Sequence, residues 1–147
     1  MSFFSGEYIC KIDAKGRLVL PAKIKNNLPE VQRDQLVVKR GFEPCLVLYP
    51  MLEWKKVFSK VSGLNEFNKE FRKFQRNFLR GCTEVELDNN ARMLVPKTMQ
   101  LFAEIEKEVI VVGMGNRVEI WNPTKYEEYL IKDEDEFSEL AEKYLSE

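Results

Sequence analysis

The sequence predicts a mainly β fold with short helices, an α+β chain built from two copies of one unit. Two observations carry that prediction. Ile12-Asp13-Ala14-Lys15-Gly16-Arg17-Leu18-Val19-Leu20-Pro21 returns 75 residues later as Leu87-Asp88-Asn89-Asn90-Ala91-Arg92-Met93-Leu94-Val95-Pro96. Both copies read apolar, Asp, three turn-like residues, Arg, three apolar residues, Pro. Downstream, Leu36-Val37-Val38, a loop, Cys45-Leu46-Val47-Leu48 and Pro50 are echoed at an offset of 73 by Val109-Ile110-Val111-Val112, a loop, Val118-Glu119-Ile120-Trp121 and Pro123. Only a two-residue slip separates the blocks. A repeated unit of this kind closes a core with its twin when it cannot bury its apolar face alone, and 147 residues suit one such joint core or two tightly joined lobes.

Each copy opens with a predicted strand ending at Ile12 or Leu87, a turn, and a second strand over Arg17–Leu20 or Arg92–Val95, so the unit is expected to begin as a β-hairpin. Asp13 and Asp88 are the expected turn-structuring residues, because a carboxylate there accepts hydrogen bonds from backbone amides two or three residues on. Gly16 supplies a residue that takes positive φ without steric cost. Pro21 and Pro96 suit the first turn of a short helix, over Ala22–Leu28 and Lys97–Ala103. Two β-rich runs follow in each copy, joined by Lys39-Arg40-Gly41-Phe42-Glu43-Pro44 and by Gly113-Met114-Gly115-Asn116-Arg117. Met51–Val61 and Thr124–Ile131 read as further helices, and Phe137–Leu145 as a last acidic one. Between the copies Phe67, Phe71, Phe74 and Phe78 recur at spacings of four, three and four, the stripe of an amphipathic helix. Packing is its expected role, and nucleic-acid stacking its minor one.

Four segments follow: repeat 1 at 7–54, a basic amphipathic helical linker at 55–82, repeat 2 at 83–126, and an acidic helical tail at 127–147. The net charge of −1 hides a partition among them. Segment 7–54 holds eight Lys/Arg and six Asp/Glu, and 55–82 holds eight and two, for +2 and +6. Segment 83–126 holds five and seven, and 127–147 two and nine, for −2 and −7. A basic face attracts phosphates despite acidic regions elsewhere, because charges beyond about 8–10 Å are largely screened.

Much chemistry is excluded at this level. There is no histidine, so the commonest general acid–base and the commonest zinc ligand are both missing. No phosphate-binding P-loop occurs, and Gly113-Met114-Gly115 lacks the third glycine of a dinucleotide fingerprint. Asp133-Glu134-Asp135-Glu136 reads as a solvated run, not a metal cage. No metal, cofactor or small-molecule substrate is expected, no effector pocket is legible, and the chain reads as a non-enzyme. Cys10, Cys45 and Cys82 lack CxxC spacing and read as reduced core thiols. No run of about twenty apolar residues exists and residues 1–7 lack a basic start and apolar stretch. A cytoplasmic protein without membrane contact is expected.

Lys15 and Arg17 stand out because a hairpin tip holds basic groups away from a stiff two-stranded ribbon. Such a ribbon fits the major groove of B-DNA, where Arg bonds guanine O6 and N7 with two parallel donors. The other reading pairs Arg17 and Arg92 with Asp13 and Asp88 across their own turns, and spacing leaves both open. Lys11, Lys23, Lys25, Lys39 and Arg40 are the expected sources of nonspecific phosphate attraction.

These residues resemble the MraZ family of bacterial transcription regulators, which are built from two AbrB-like units. The resemblance is carried by Asp13-x-x-x-Arg17 and Asp88-x-x-x-Arg92 with their trailing apolar residues and prolines, by Cys45-Leu46-Val47-Leu48-Tyr49-Pro50-x-x-Glu53-Trp54, and by Val118-Glu119-Ile120-Trp121. It covers nearly the whole chain. It implies a pseudo-dimeric swapped-hairpin β-barrel, and barrels that assemble into a ring-shaped homo-oligomer. It also implies binding to double-stranded DNA at short direct repeats in the promoter of the division and cell-wall gene cluster, usually as a repressor, and hence a nucleoid-associated protein. The family's DNA-reading turns map onto Lys15, Gly16, Arg17, Asn90 and Arg92. The second copy departs from the fuller pattern, with Ala91 answering Gly16, Asn90 answering Lys15, and Glu84 and Glu86 beside it. The competing reading is a ring-forming scaffold without specific DNA binding.

Overall fold

Period-two alternation of apolar residues decides which way each strand faces in this computed structural model, which describes residues 3–28 and 35–146. The chain runs through β1 (Glu7–Lys11), β2 (Arg17–Val19), α1 (Ala22–Lys25), β3 (Leu36–Arg40), β4 (Leu46–Pro50), α2 (Met51–Ser62) and α3 (Lys69–Leu79). The second half follows with β5 (Thr83–Val85), β6 (Arg92–Leu94), α4 (Lys97–Phe102), β7 (Glu108–Gly113), β8 (Val118–Trp121), α5 (Pro123–Glu128) and α6 (Glu134–Leu145). The order β, turn, β, short helix, β, loop, β is thus present twice.

The copies are interleaved. β3 pairs with β4 and β7 with β8 inside their own copies, but β1 of the first copy pairs with β7 of the second, and β5 of the second with β3 of the first. The resulting sheet has the order β1-β7-β8-β4-β3-β5, and β2 and β6 form a separate two-stranded ribbon. Two expectations are corrected here. The opening hairpins do not form as long ladders: among the described residues the first closes through the Ile12–Leu18 bridge and the Asp13 N–H to Arg17 carbonyl bond at the turn, because the arms find partners across the copy boundary. The sheet is also open, not a closed barrel, with β1 and β5 as its edges.

Alternate residues of the sheet build one core from both copies. Leu36, Val38, Leu46 and Leu48 meet Val109, Val111, Val118 and Ile120 there, with Leu18 and Met93 from the ribbon. Full burial of side chains of this size contributes about 1.5–3 kcal/mol each. The opposite parity is covered by helices: Val37, Val47 and Tyr49 pack with Trp54 of α2, and Ile110 and Trp121 with Tyr126 of α5. Among the described residues no helix is long and apolar enough to cross a membrane.

Pro21 and Pro96 sit just before α1 and α4, not within their first turns, with ψ near 143°. Their fixed φ suits the approach while the extended ψ leads the chain out of the ribbon. The phenylalanine stripe departs most from expectation. Asn68 caps α3 by accepting the Phe71 N–H at 3.1 Å, and Gln75 donates to the Val61 carbonyl at 2.8 Å, pinning α3 to the end of α2. Yet no residue of α3 is fully buried; Phe67, just before it, is 85 % exposed, and Phe71 and Phe74 are 36 % and 45 % exposed. Only the Phe78 end packs, against Phe42 and Phe74. Cys45 is buried and Cys10 and Cys82 half-buried, all three as free thiols, and burial pushes the Cys45 pKa up to about 12.

Candidate nucleic-acid interface

The two repeated turns are built alike, atom for atom. Asp13 Oδ1 accepts the backbone N–H groups of Lys15 and Arg17, both at 2.9 Å, and Asp13 Oδ2 accepts Arg17 Nε–H at 2.7 Å. In the second copy Asp88 Oδ1 accepts from Asn90 at 2.8 Å and Arg92 at 3.0 Å, and Oδ2 from Arg92 Nε–H at 2.8 Å. Backbone bonds from Gly16 N–H to the Asp13 carbonyl and from Ala91 N–H to the Asp88 carbonyl, both 3.0 Å, tighten each turn. The turn needs a left-handed residue before each arginine. Gly16 takes φ 83° and Ala91 φ 60°, so the second copy keeps the geometry although its residue carries a Cβ.

Hydrogen bonds from the backbone amides, then from the arginine side chain, hold the Asp13 carboxyl below the ordinary value of 3.8, and the same causes act on Asp88. Both carboxylates are therefore fixed acceptors at neutral pH. The two arginine side chains are 36 % and 29 % exposed. Their Nε groups are committed to the turns, while their terminal amino groups make no hydrogen bond among the described residues.

Pairing of β2 with β6 brings the turns together. The register sets Arg17 opposite Leu94, Leu18 opposite Met93, and Val19 opposite Arg92. Leu18 and Met93 point into the core with no exposed surface. Alternation therefore sends Arg17, Val19, Arg92 and Leu94 to the other face of the ribbon, where Val19 and Leu94 are open to solvent. The arginines are diagonal neighbours, about 7–8 Å apart at the backbone. The pairing across their own turns is present for both arginines through Nε, while their terminal amino groups make no hydrogen bond among the described residues.

A model of the MraZ protein family, described as antitoxin-like, matches the chain twice, at residues 3–77 and 78–146. The chain belongs to the MraZ family. A relative in Cytophaga hutchinsonii, named transcriptional regulator MraZ, is 61 % identical over 99 % of this chain and 97 % of its own. Relatives with the same name in Christiangramia forsetii and Halothermothrix orenii are 45 % and 38 % identical, over 95 % and 94 % of this chain and 91 % and 94 % of theirs. The two matches meet between residues 77 and 78, within α3.

The remaining sequence-predicted residues are spread more widely. Lys15 and Asn90 are exposed at the turn tips, Lys11 is exposed at the end of β1 opposite Glu108, and Lys23 is exposed on α1. Lys39 contradicts its expected part in a phosphate-attracting surface, because it is only 5 % exposed; it lies on a strand whose two faces are both covered. Sequence reasoning also missed Gln100 on α4, whose Nε2 donates to the Val95 carbonyl at 2.8 Å and lies against Gly16. Nothing in its sequence context marks it. Among the described residues no group of three His, Cys, Asp or Glu side chains could hold a metal ion.

Proposed function

We propose that this chain is a sequence-specific DNA-binding transcriptional regulator, a non-enzyme that represses from short direct repeats in the promoter of the division and cell-wall gene cluster. The observation that carries this reading is the shared exposed face of the β2–β6 ribbon, on which Arg17 and Arg92 both present free terminal amino groups. A two-stranded ribbon enters the major groove, where Arg reads guanine with paired donors and an apolar side chain meets the thymine methyl. Val19 and Leu94 supply apolar contacts between the arginines. A diagonal separation of about 7–8 Å spans about two base steps at about 3.4 Å each. Lys11, Lys15, Gly16, Lys23 and Asn90 flank the arginines as phosphate and backbone contacts in this reading. The relatives' name, transcriptional regulator, supports the role. In this reading the protein works in the cytoplasm, associated with the nucleoid.

The reading includes a ring-shaped homo-oligomer. Phe67 before α3, the partly exposed Phe71 and Phe74 of α3, and the exposed Phe137 and Tyr144 of the acidic α6 are apolar faces of opposite charge setting, suited to contacts between copies. Repeated weak contacts then act together at high effective concentration on spaced repeats. The same faces favour the second reading, a ring-forming scaffold without specific DNA binding.

Fluorescence anisotropy with the chain's own upstream promoter and a scrambled duplex, across a salt series, separates the two. Preference for the promoter, lost in Arg17→Ala, is expected. Equal weak binding to both duplexes by both proteins would move the weight to the scaffold.

A further inference from the structure

Lys39 is a buried cation that the DNA face does not use. Its Nζ donates to the carbonyl of its neighbour Arg40 and lies 4.2 Å from the centre of the Phe78 ring. It opens into a cavity of about 270 Å³ lined also by Arg40, Asn77, Arg80 and Phe102, with no Asp or Glu in the lining. Among the described residues no carboxylate lies within ion-pair distance of Lys39, Arg40 or Arg80. Arg40 Nε is buried without a hydrogen-bond partner, although the guanidinium rests 4.7 Å from the Phe102 ring centre.

This arrangement is incomplete by its own chemistry. A buried charge is tolerated when paired and hydrogen-bonded, and a buried donor without an acceptor calls for an explanation. Ring faces at Phe78 and Phe102 offset part of the cost, but neither supplies the acceptor that Arg40 Nε lacks. An anion supplies both the acceptor and the balancing charge. Three cations and the Asn77 amide converge from the end of β3, the last turn of α3 and Arg80 just beyond it, while α4 adds an aromatic wall. The guanidinium fork matches the spaced oxygens of a phosphate. The cavity falls just under the lower end of common ligand sites, about 300 Å³, which selects a small molecule.

We propose that this cavity binds the phosphate group of a small phosphorylated metabolite. A duplex fits poorly because its deepest cation, Lys39, is almost wholly covered. The site is separate from the Asp13–Arg17 turn and stands whether or not that turn reads DNA.

Isothermal titration calorimetry of the full chain with inorganic pyrophosphate, against chloride at matched ionic strength, tests the proposal. Four proteins are compared: wild type, Lys39→Met, Arg80→Gln and Arg17→Ala. Wild type and Arg17→Ala are expected to bind alike. Lys39→Met and Arg80→Gln are expected to bind about tenfold or more weakly, the loss of one hydrogen bond between charged groups. Circular dichroism confirms that each variant is folded; Arg80 is exposed, so its replacement leaves the fold intact even if Lys39→Met does not. Binding undiminished in Arg80→Gln, or no heat beyond that of chloride, would overturn the proposal. So would competition for the site by a duplex with the Arg17→Ala protein, which would put a DNA phosphate there instead.

Discussion

Val95 donates its backbone N–H to the carbonyl of Gly16 at 2.8 Å, and Leu20 returns the same bond to Ala91 at 3.0 Å. Each turn is therefore anchored by the strand leaving the other turn, and the two arginines cannot be placed independently. Glycine at position 16 is required twice over. Its φ is 83°, and an added Cβ would lie 2.4 Å from Gln100 Nε2 and 3.3 Å from the Val95 carbonyl oxygen. Gly16→Val should destabilise the fold by about 1–3 kcal/mol through left-handed strain and should displace Gln100 from Val95. Ala91→Gly should cost far less, because released strain offsets the lost methyl burial. Urea unfolding of the two variants checks the asymmetry; equal losses would contradict it.

The aspartates make the turns sensitive to acid. Their folded pKa values lie below the ordinary 3.8, so their contribution is fully present above that value and disappears as pH falls through the lower folded value. The double variant Asp13→Asn with Asp88→Asn should have a melting temperature that falls less steeply than wild type below pH 4. Thermal unfolding across pH 2.5–7 measures this, and parallel curves would show that other groups dominate the acid limb.

Arg17 and Arg92 should differ little in their contribution to promoter binding, since register and hydrogen bonding treat them alike. Each alanine variant should weaken promoter binding and reduce the preference over scrambled DNA by about 1–3 kcal/mol if its guanidinium reads a base. Lys23→Ala should weaken both duplexes to a similar extent and lower the salt slope by about 0.9. A variant of Arg92 with wild-type preference would confine reading to the first copy, where Gly16 and Lys15 match the fuller motif.

The duplicated order of elements was legible because it rests on local signals: aspartates at turns, prolines before helices and alternating apolar residues in Leu36–Val38 and Val109–Val111. The exchange of β1 and β5 was carried only by the family resemblance, with its swapped hairpins, and not by any local signal. Residues 7–11 satisfy their alternation equally well against their own copy or the other, so strand choice depends on non-local geometry. The same limit hid the burial of Lys39, which local context renders as one basic residue beside another. It also hid Gln100, whose role exists only because α4 lies across the first turn. The turn residues were found because the chemistry of Asp13 and Arg17 closes within five residues.

A helix with an unpartnered aromatic stripe is costly to leave in water, about 25 cal/mol for each Å² of apolar surface that could be buried, and exposed apolar faces of this kind mark contact surfaces. Phe71 and Phe74, flanked by Arg72, Lys73 and Arg76, keep about 36 % and 45 % of their surface open, Phe74 resting against Phe78 within the same helix. Replacing both with serine removes apolar surface without touching the Asn68 cap or the Gln75 link to α2. The variant should therefore keep its monomer fold and its near-native melting behaviour at low concentration, yet form a smaller particle in sedimentation velocity. Promoter binding to a multi-repeat duplex should weaken more than binding to a single repeat, because joint contacts are lost while each ribbon is intact. An unchanged particle with unchanged binding would mean that copies join elsewhere and that the stripe serves another partner.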